Sequence, residues 1–511
     1  MRGPSSSHTA AALRIGTMIR DLISGTPHRV IVEFDQNSSL ATTYKGHGSA
    51  MGLIGGLLGM EMTNPDIINY MKLADENNMQ VEFMITNYNA DHPNTYKISV
   101  QDKKGKSFEI VAVSTGGGMV DIRKINDFPL SIKGDYYETL LFVDTGPDKS
   151  FEKIYNKISS LLPENNFQFI RKNDTQFLIL IKTREMLPSE LIEGLSSLGK
   201  VLSLNIIKPV LPVLSGNQGK LPFTTVNQML DLSEKKRLEP WKLAVLYESV
   251  RAGYSEEKVF SLMKEIVIQI RKSIKEGLAG TNYEDRILGS QSHLIIEAQK
   301  RKRILGALNN RIIAYTSALM EMKSSMGVIV AAPTAGSCGV LGGSIIGADG
   351  KLSGNADKVT KAFLIAGMIG VFIADQYTFA AEEGGCQVEC GAASSMAAAG
   401  LVQLMGGNTR MAVDAASMAL QNMIGLICDP VADRVEVPCL GKNIMAATNA
   451  LNSANMIMAG FEPVIPLDET IQAMKSVGKE LPASLRCTGL GGLSLTPTAA
   501  KIYKKLIMKM K

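Results

Sequence analysis

Hydrophobic spacing changes character twice along this chain, and the changes divide it into three stretches. Over residues 1 to about 130 the pattern is short and mixed. Leu13, Ile15, Met18, Ile19 and Leu22 recur at helical intervals, and Ser5, Ser6, Ser7, His8 and Thr9 ahead of them supply the hydroxyls that cap a helix N-terminus. Such a terminus is also ready to receive a carboxylate or phosphate. Val30 to Phe34 reads as a strand, Ala50 to Gly59 as a helix, and Tyr96 to Gln101 as a strand entered from the turn Asp91-His92-Pro93-Asn94-Thr95. The run Ser114-Thr115-Gly116-Gly117-Gly118 is a candidate anion-binding backbone nest.

Residues 135–212 have another texture. Strands are expected over Tyr137 to Val143, Phe167 to Arg171, Thr175 to Ile181 and Val201 to Ile207, with helices over Phe151 to Leu162 and Pro188 to Leu198. That order is βαββαβ, the ferredoxin-like arrangement, whose small modules serve many functions, amino-acid sensing among them. Leu211 to Lys220, rich in Gly and Pro, reads as a linker. Residues 221–511 are patterned almost wholly as helices: Trp241 to Ala252, Ser255 to Lys275, Ser290 to Lys323, Lys358 to Phe379, Met411 to Leu426 and Lys442 to Ala459. The expectation is an α+β multidomain protein: an α/β part at 1–130, a βαββαβ module at 135–212 and an all-α part at 221–511.

Composition narrows the class. A 45% hydrophobic, 20% charged chain of 511 residues has the makeup of an ordinary soluble protein. The net charge of +5 is small, and Lys300-Arg301-Lys302-Arg303 is read as a solvated helix face, so no nucleic-acid partner is expected. The apolar run Ala362 to Ala374 is too short for a membrane span, and no secretory signal is read at Met1-Arg2-Gly3-Pro4, so the expectation is a cytoplasmic protein with no membrane partner.

Chemistry concentrates between Glu382 and Cys439. Four of the six cysteines fall there, and Cys428 and Cys439 lie beside prolines, hence at turns. Thiolates offered from loops between packed helices suit a metal or iron–sulfur centre, whereas a lone buried cysteine more commonly fills space. His47, held between Gly46 and Gly48, has the backbone freedom to approach a ligand closely.

Together these motifs resemble the iron–sulfur-dependent L-serine dehydratases (L-serine ammonia-lyases) in their single-chain form. Gly3-Pro4-Ser5-Ser6-Ser7-His8-Thr9, Tyr44-Lys45-Gly46-His47-Gly48 and His92-Pro93-Asn94 resemble the family's β domain. Pro333-Thr334-Ala335-Gly336-Ser337-Cys338-Gly339, Glu383-Gly384-Gly385-Cys386-Gln387 and Cys428-Asp429-Pro430 resemble its α domain. The resemblance implies a [4Fe–4S] cluster on three cysteines, matched by the spacing of Cys386, Cys428 and Cys439, with Cys338, Cys390 and Cys487 as non-ligands. It also implies that residues 135–212 are an ACT-like domain, and that no pyridoxal phosphate takes part.

The implied reaction is β-elimination of water from L-serine, the open iron acting as Lewis acid on the hydroxyl and a base taking the α-proton. His47 is the first candidate base, with His8, His92 and Lys45 as the others. Ser5, Ser6, Ser7, Thr9, Asn94, Thr334 and Ser337 are the candidate substrate-binding residues, against plain capping as their ordinary role. The same chemistry on threonine, cysteine or a hydroxy acid is an alternative. A zinc-bearing, non-catalytic amino-acid sensor is another. A homodimer is the expected assembly.

Overall fold

The computed structural model describes residues 1–3, 6–145, 151–162, 166–173, 175–196, 201–211 and 220–509. Pro4, Ser5, Gly146, Pro147, most of the expected linker (212–219) and the last two residues lie outside these.

The N-terminal part is built on a six-stranded sheet of β1 (Arg29–Asp35), β2 (Gln80–Thr86), β3 (Thr95–Gln101), β4 (Ser107–Gly116), β5 (Met119–Ile125) and β6 (Phe128–Ile132). The strand order is β2-β1-β3-β4-β5-β6, with only the β1–β2 pair parallel. Alternation decides which face is buried: Val30, Val32 and Phe34 of β1 have no exposed surface, nor does Ile98 of β3. The helix Ser6–Leu22 buries Ile15, Met18, Ile19 and Leu22 in the same core.

The partner of that helix is Ser49–Leu57, and glycine lets the two backbones touch. A Cβ on Gly52 would stand 2.1 Å from the Thr9 carbonyl oxygen, and one on Gly56 2.0 Å from that of Leu13. This contact fixes His8 and Thr9 against His47, because Gly48, in the left-handed region at φ 80°, is the N-cap that follows His47.

A second sheet, β7 (Tyr137–Asp144), β8 (Phe167–Arg171), β9 (Gln176–Thr183) and β10 (Val201–Ile207), is antiparallel throughout in the order β10-β7-β9-β8. Helices Phe151–Leu161 and Ser189–Ser196 complete the βαββαβ order, and Leu141, Ile158, Ile179 and Leu195 make a small core between helices and sheet. On the opposite face, Leu140, Phe142, Leu178 and Leu180 join the core of the first sheet.

Beyond residue 220 the described residues are mostly helical, and Ala, Ile, Leu and Val make up most of their shared core. The expected single helix from Ser290 to Lys323 is two helices, Ser292–Lys300 and Ala307–Ser324. The chain breaks where Lys302 and Gly306 take positive φ, and the exposed cations Arg301, Lys302 and Arg303 stay in water instead of entering the bundle. The helix around the apolar run at 362–374 is longer than the run itself. Asp357–Gln376 and Gln387–Met405 are each long and apolar enough to cross a membrane, but 67% and 83% of their most apolar 18-residue stretches is buried within this protein.

Candidate active site

Two loops of the helical part carry the cysteines, and a glutamine braces them together. Cys386 follows Gly385 and leads into a π-helical turn, Gln387–Gly391. The backbone N–H of Gln387 donates to Leu426 (3.0 Å), and its side-chain oxygen accepts from the N–H of Gly425 (2.9 Å). The segment leading to Cys428 is thereby held against Cys386. Asp429 is fixed from two sides, receiving the Lys442 ammonium (2.7 Å) and the Leu493 N–H (3.0 Å).

All six cysteines are buried and none is in a disulfide. One donor atom each of Cys386, Glu389 and Cys428 lies within 4.8 Å of the others, a grouping able to hold a metal ion. Cys439 is not in a turn, as its proline neighbour led one to expect. It is the first residue of the helix Cys439–Met458, with Pro438 as N-cap, because proline is compatible with a helix start. It packs with Cys338, Ala335 and Val435, within electrostatic range of Cys386.

Cys487 is more than filling. It lies in one apolar cluster with Cys386 and Cys428, its N–H donates to the Cys428 carbonyl (3.0 Å), and its φ of 60° is unusual for a side-chain-bearing residue. Burial pushes the Cys439 thiol up to about 12. The Cys428 thiol beside Cys386, together with burial, raises Cys386 well above its ordinary value. These sulfurs are therefore neutral until a cation draws their protons off.

The N-terminal part closes over this centre. Gly116, at φ 94°, ends β4, and a Cβ there would stand 2.8 Å from the Ala380 N–H nitrogen. The Ser114–Gly118 run is thus the turn of the β4–β5 hairpin pressed onto the helical part, not an open anion nest. Ser39 Oγ donates to the Cys487 carbonyl (3.1 Å).

The histidines meet the glutamates of the Glu382-Glu383 pair. His8 Nε2 lies 2.7 Å from Glu382 Oε1, and His92 Nε2 lies 3.2 Å from Glu383 Oε1. Burial opposes charge on His8, but the Glu382 carboxylate outweighs it and raises the imidazole above its usual value. Burial would likewise raise Glu382, yet His8 brings it down to about 2.

His47 stacks on His8 with ring centroids 4.6 Å apart, is fully buried, and has no hydrogen-bond partner at either ring nitrogen. Burial, then the charge on His8, holds it well below the ordinary histidine value. A neutral imidazole with a free nitrogen is what a proton acceptor requires. His92 is differently occupied, since its Nδ1 accepts from the Asn94 N–H (3.1 Å) while Nε2 faces Glu383.

Of the other sequence candidates, Lys45 is exposed, its ammonium 5.7 Å from the centre of the Tyr44 ring, and is not part of this cluster. Ser5 and the side chain of Ser6 fall outside the described residues. Ser7 and Thr9 are buried, and Thr9 Oγ1 donates to the His47 carbonyl (3.3 Å). Asn94 is buried with its Oδ1 unpartnered. Thr334 Oγ1 lies 3.1 Å from Ser337 Oγ and donates to Glu389 Oε1 (2.6 Å), whose carboxyl burial raises to about 7 despite that bond.

Sequence reading missed Glu382 as a partner of His8 and Glu389 beside the thiols. The adjacent acids Glu382-Glu383 immediately before Gly384-Gly385-Cys386 were the available signal.

Comparison with known proteins agrees with this layout. Residues 2–124 match the family model "Serine dehydratase beta chain" and residues 215–494 match "Serine dehydratase alpha chain". The "L-serine dehydratase" of Helicobacter pylori is 24% identical over 507 residues, covering 97% of this chain and 96% of its own. That of Haemophilus influenzae is 26% identical over 508 residues, 96% of each chain. The "Probable L-serine dehydratase, alpha chain" of Bacillus subtilis is 34% identical over 285 residues, 56% of this chain and 95% of its own. With both matches in one polypeptide, and a site assembled from the two matched regions, the chain belongs to the serine dehydratase family of enzymes and fuses that family's beta and alpha chains.

Proposed function

We propose that the protein eliminates water from L-serine, giving pyruvate and ammonia, with a [4Fe–4S] cluster held by Cys386, Cys428 and Cys439. The observation that carries the reading is His47. It is a buried, neutral, unpartnered imidazole beside the His8–Glu382 pair, and Glu382 stands four residues before the buried thiol of Cys386. The donor set fits the cluster: sulfur is the soft ligand iron–sulfur centres take, and protons leave buried thiols when a cation binds. When bound, the cluster supplies an electron-pair acceptor for the substrate hydroxyl, which eases departure of hydroxide.

The chain's own residues do the rest. His47 takes the α-proton, and the imidazolium that forms is stabilised by the Glu382 carboxylate. Burial, followed by the neighbouring His8, keeps His47 well below the ordinary histidine value, so the base is ready at neutral pH. Asn94 Oδ1 is an acceptor for the substrate ammonium, and Ser7 and Thr9 line the first turn of Ser6–Leu22. The eliminated enamine tautomerises and hydrolyses without further help.

In this reading residues 1–130 form the substrate domain, 221–511 the cysteine-bearing catalytic domain, and 135–212 an ACT-like module. The β10-β7-β9-β8 order supports that last assignment.

The test is anaerobic purification followed by iron and sulfide analysis and a serine-to-pyruvate assay, with threonine and cysteine as competing substrates. Protein that loads iron and sulfide and releases ammonia fastest from serine bears the proposal out. Iron-free protein, or loaded protein inert toward serine, sinks it.

A further inference from the structure

The helix Ala307–Ser324 carries a lysine, Lys323, that has no exposed surface at all. Its ammonium donates to the carbonyl of Val435, a neutral partner. Neighbouring cations are paired with carboxylates: Lys442 with Asp429 (2.7 Å) and Arg434 with Asp285 (2.8 Å). No ion pair involving Lys323 occurs among the described residues. The nearby Glu436 gives one carboxylate oxygen to the N–H groups of Ile287 and Leu288, both at 2.9 Å, and Glu321 is spent on Gln291 and Ser292. The carboxylates within range of its charge, Glu436 and Glu389, are bonded elsewhere, so the buried ammonium lacks a direct ionic partner and its place suits an anion that arrives from outside.

The surroundings of Lys323 say which anion. It packs beside Val435, four residues before Cys439, and its field reaches both Cys439 and His47. The base must meet the carbon that bears the substrate's carboxylate, and that carboxylate therefore falls within about two bonds of the proton His47 removes. We propose that Lys323 binds the α-carboxylate of the amino-acid substrate, an inference that rests on the serine reading above. The ammonium is thus a substrate-binding group, set between base and thiols, and it makes the site selective for acids over amino alcohols.

The experiment compares wild type, K323M and K323R as anaerobically prepared holoenzyme. Iron content and melting temperature are measured alongside kinetics with L-serine and calorimetric binding of two probes. Glycolate carries a hydroxyl and a carboxylate; ethanolamine carries a hydroxyl and an amine but no carboxylate. K323M is expected to keep its iron and melting temperature while KM for serine and Kd for glycolate both rise about 10- to 100-fold, the usual weight of a charge-assisted hydrogen bond. Ethanolamine binding stays as in wild type, and K323R recovers part of the glycolate affinity.

Unchanged KM and glycolate binding in K323M overturns the proposal. So does loss of iron in step with activity, which would make the lysine a tether for the Val435 loop. If wild type loads iron yet leaves serine untouched, the serine reading fails, and the glycolate arm still decides the lysine's role.

Discussion

Replacing Glu382 by glutamine removes the charge that His8 faces while keeping the side chain's shape. Burial would raise the Glu382 carboxyl, but chiefly His8 brings it from its ordinary 4.5 to about 2, and at roughly 1.4 kcal/mol per unit this amounts to about 3 kcal/mol of net stabilisation of the carboxylate. That figure agrees with the ~3–5 kcal/mol typical of breaking a buried pair from one side. The pH dependence follows from the two shifts. Glu382 is lowered, so its contribution is present above its unfolded value of 4.5 and is lost as pH falls toward about 2. His8 is raised, so its contribution is complete below its unfolded value of 6.5 and is lost as pH climbs through the higher folded value. Both halves are in force between about pH 4.5 and 6.5. Urea unfolding of cluster-free wild type and E382Q, followed by the fluorescence of the single tryptophan Trp241, should therefore differ most near pH 5.5 and converge as pH rises past the His8 titration. A difference that is flat from pH 5 to 9, or absent at pH 5.5, refutes the pairing.

Other substitutions probe the remaining parts of the site. H47Q should lower kcat with serine by about 10²- to 10⁴-fold while iron content is unchanged, as loss of a general base does, and wild-type turnover by H47Q would remove it from that role. Cys439→Ser should abolish iron binding in anaerobic iron and sulfide analysis, whereas Cys487→Ser should retain it; the reverse result would reassign the third ligand. G52A places a Cβ 2.1 Å from the Thr9 carbonyl oxygen and should cost about 1–3 kcal/mol in thermal or urea unfolding, with KM rising because Thr9 and His8 shift together.

Local pattern reached far into this fold. The βαββαβ order was legible because strands such as Leu140 to Val143 and Leu178 to Ile181 are apolar runs that fill the sheet's two faces, bounded by turn residues. The helical part was legible from its period. Strands β4 to β6 were not, since Ala112, Val113 and Ser114 are buried in succession and Arg123 and Lys124 are both exposed at a register shift, so only sheet pairing explains them.

Within the site, His47 and the cysteine spacing could be read along the chain, but their partners could not. His92 and Glu383 are 291 residues apart, and nothing local marks them as neighbours. The burial of Lys323 is equally invisible, because a lysine at that helical position reads as a solvated cap.

The amide of Gln387 ties the approach to Cys428 onto the turn that follows Cys386 through protein–protein hydrogen bonds alone. The thiols of Cys386 and Cys428 are thus positioned by the polypeptide itself. With the cluster proposed above seated on these cysteines, maturation would be delivery into a finished socket: far-ultraviolet dichroism should barely change on loading, and stripping the metal should leave a folded chain that can be refilled.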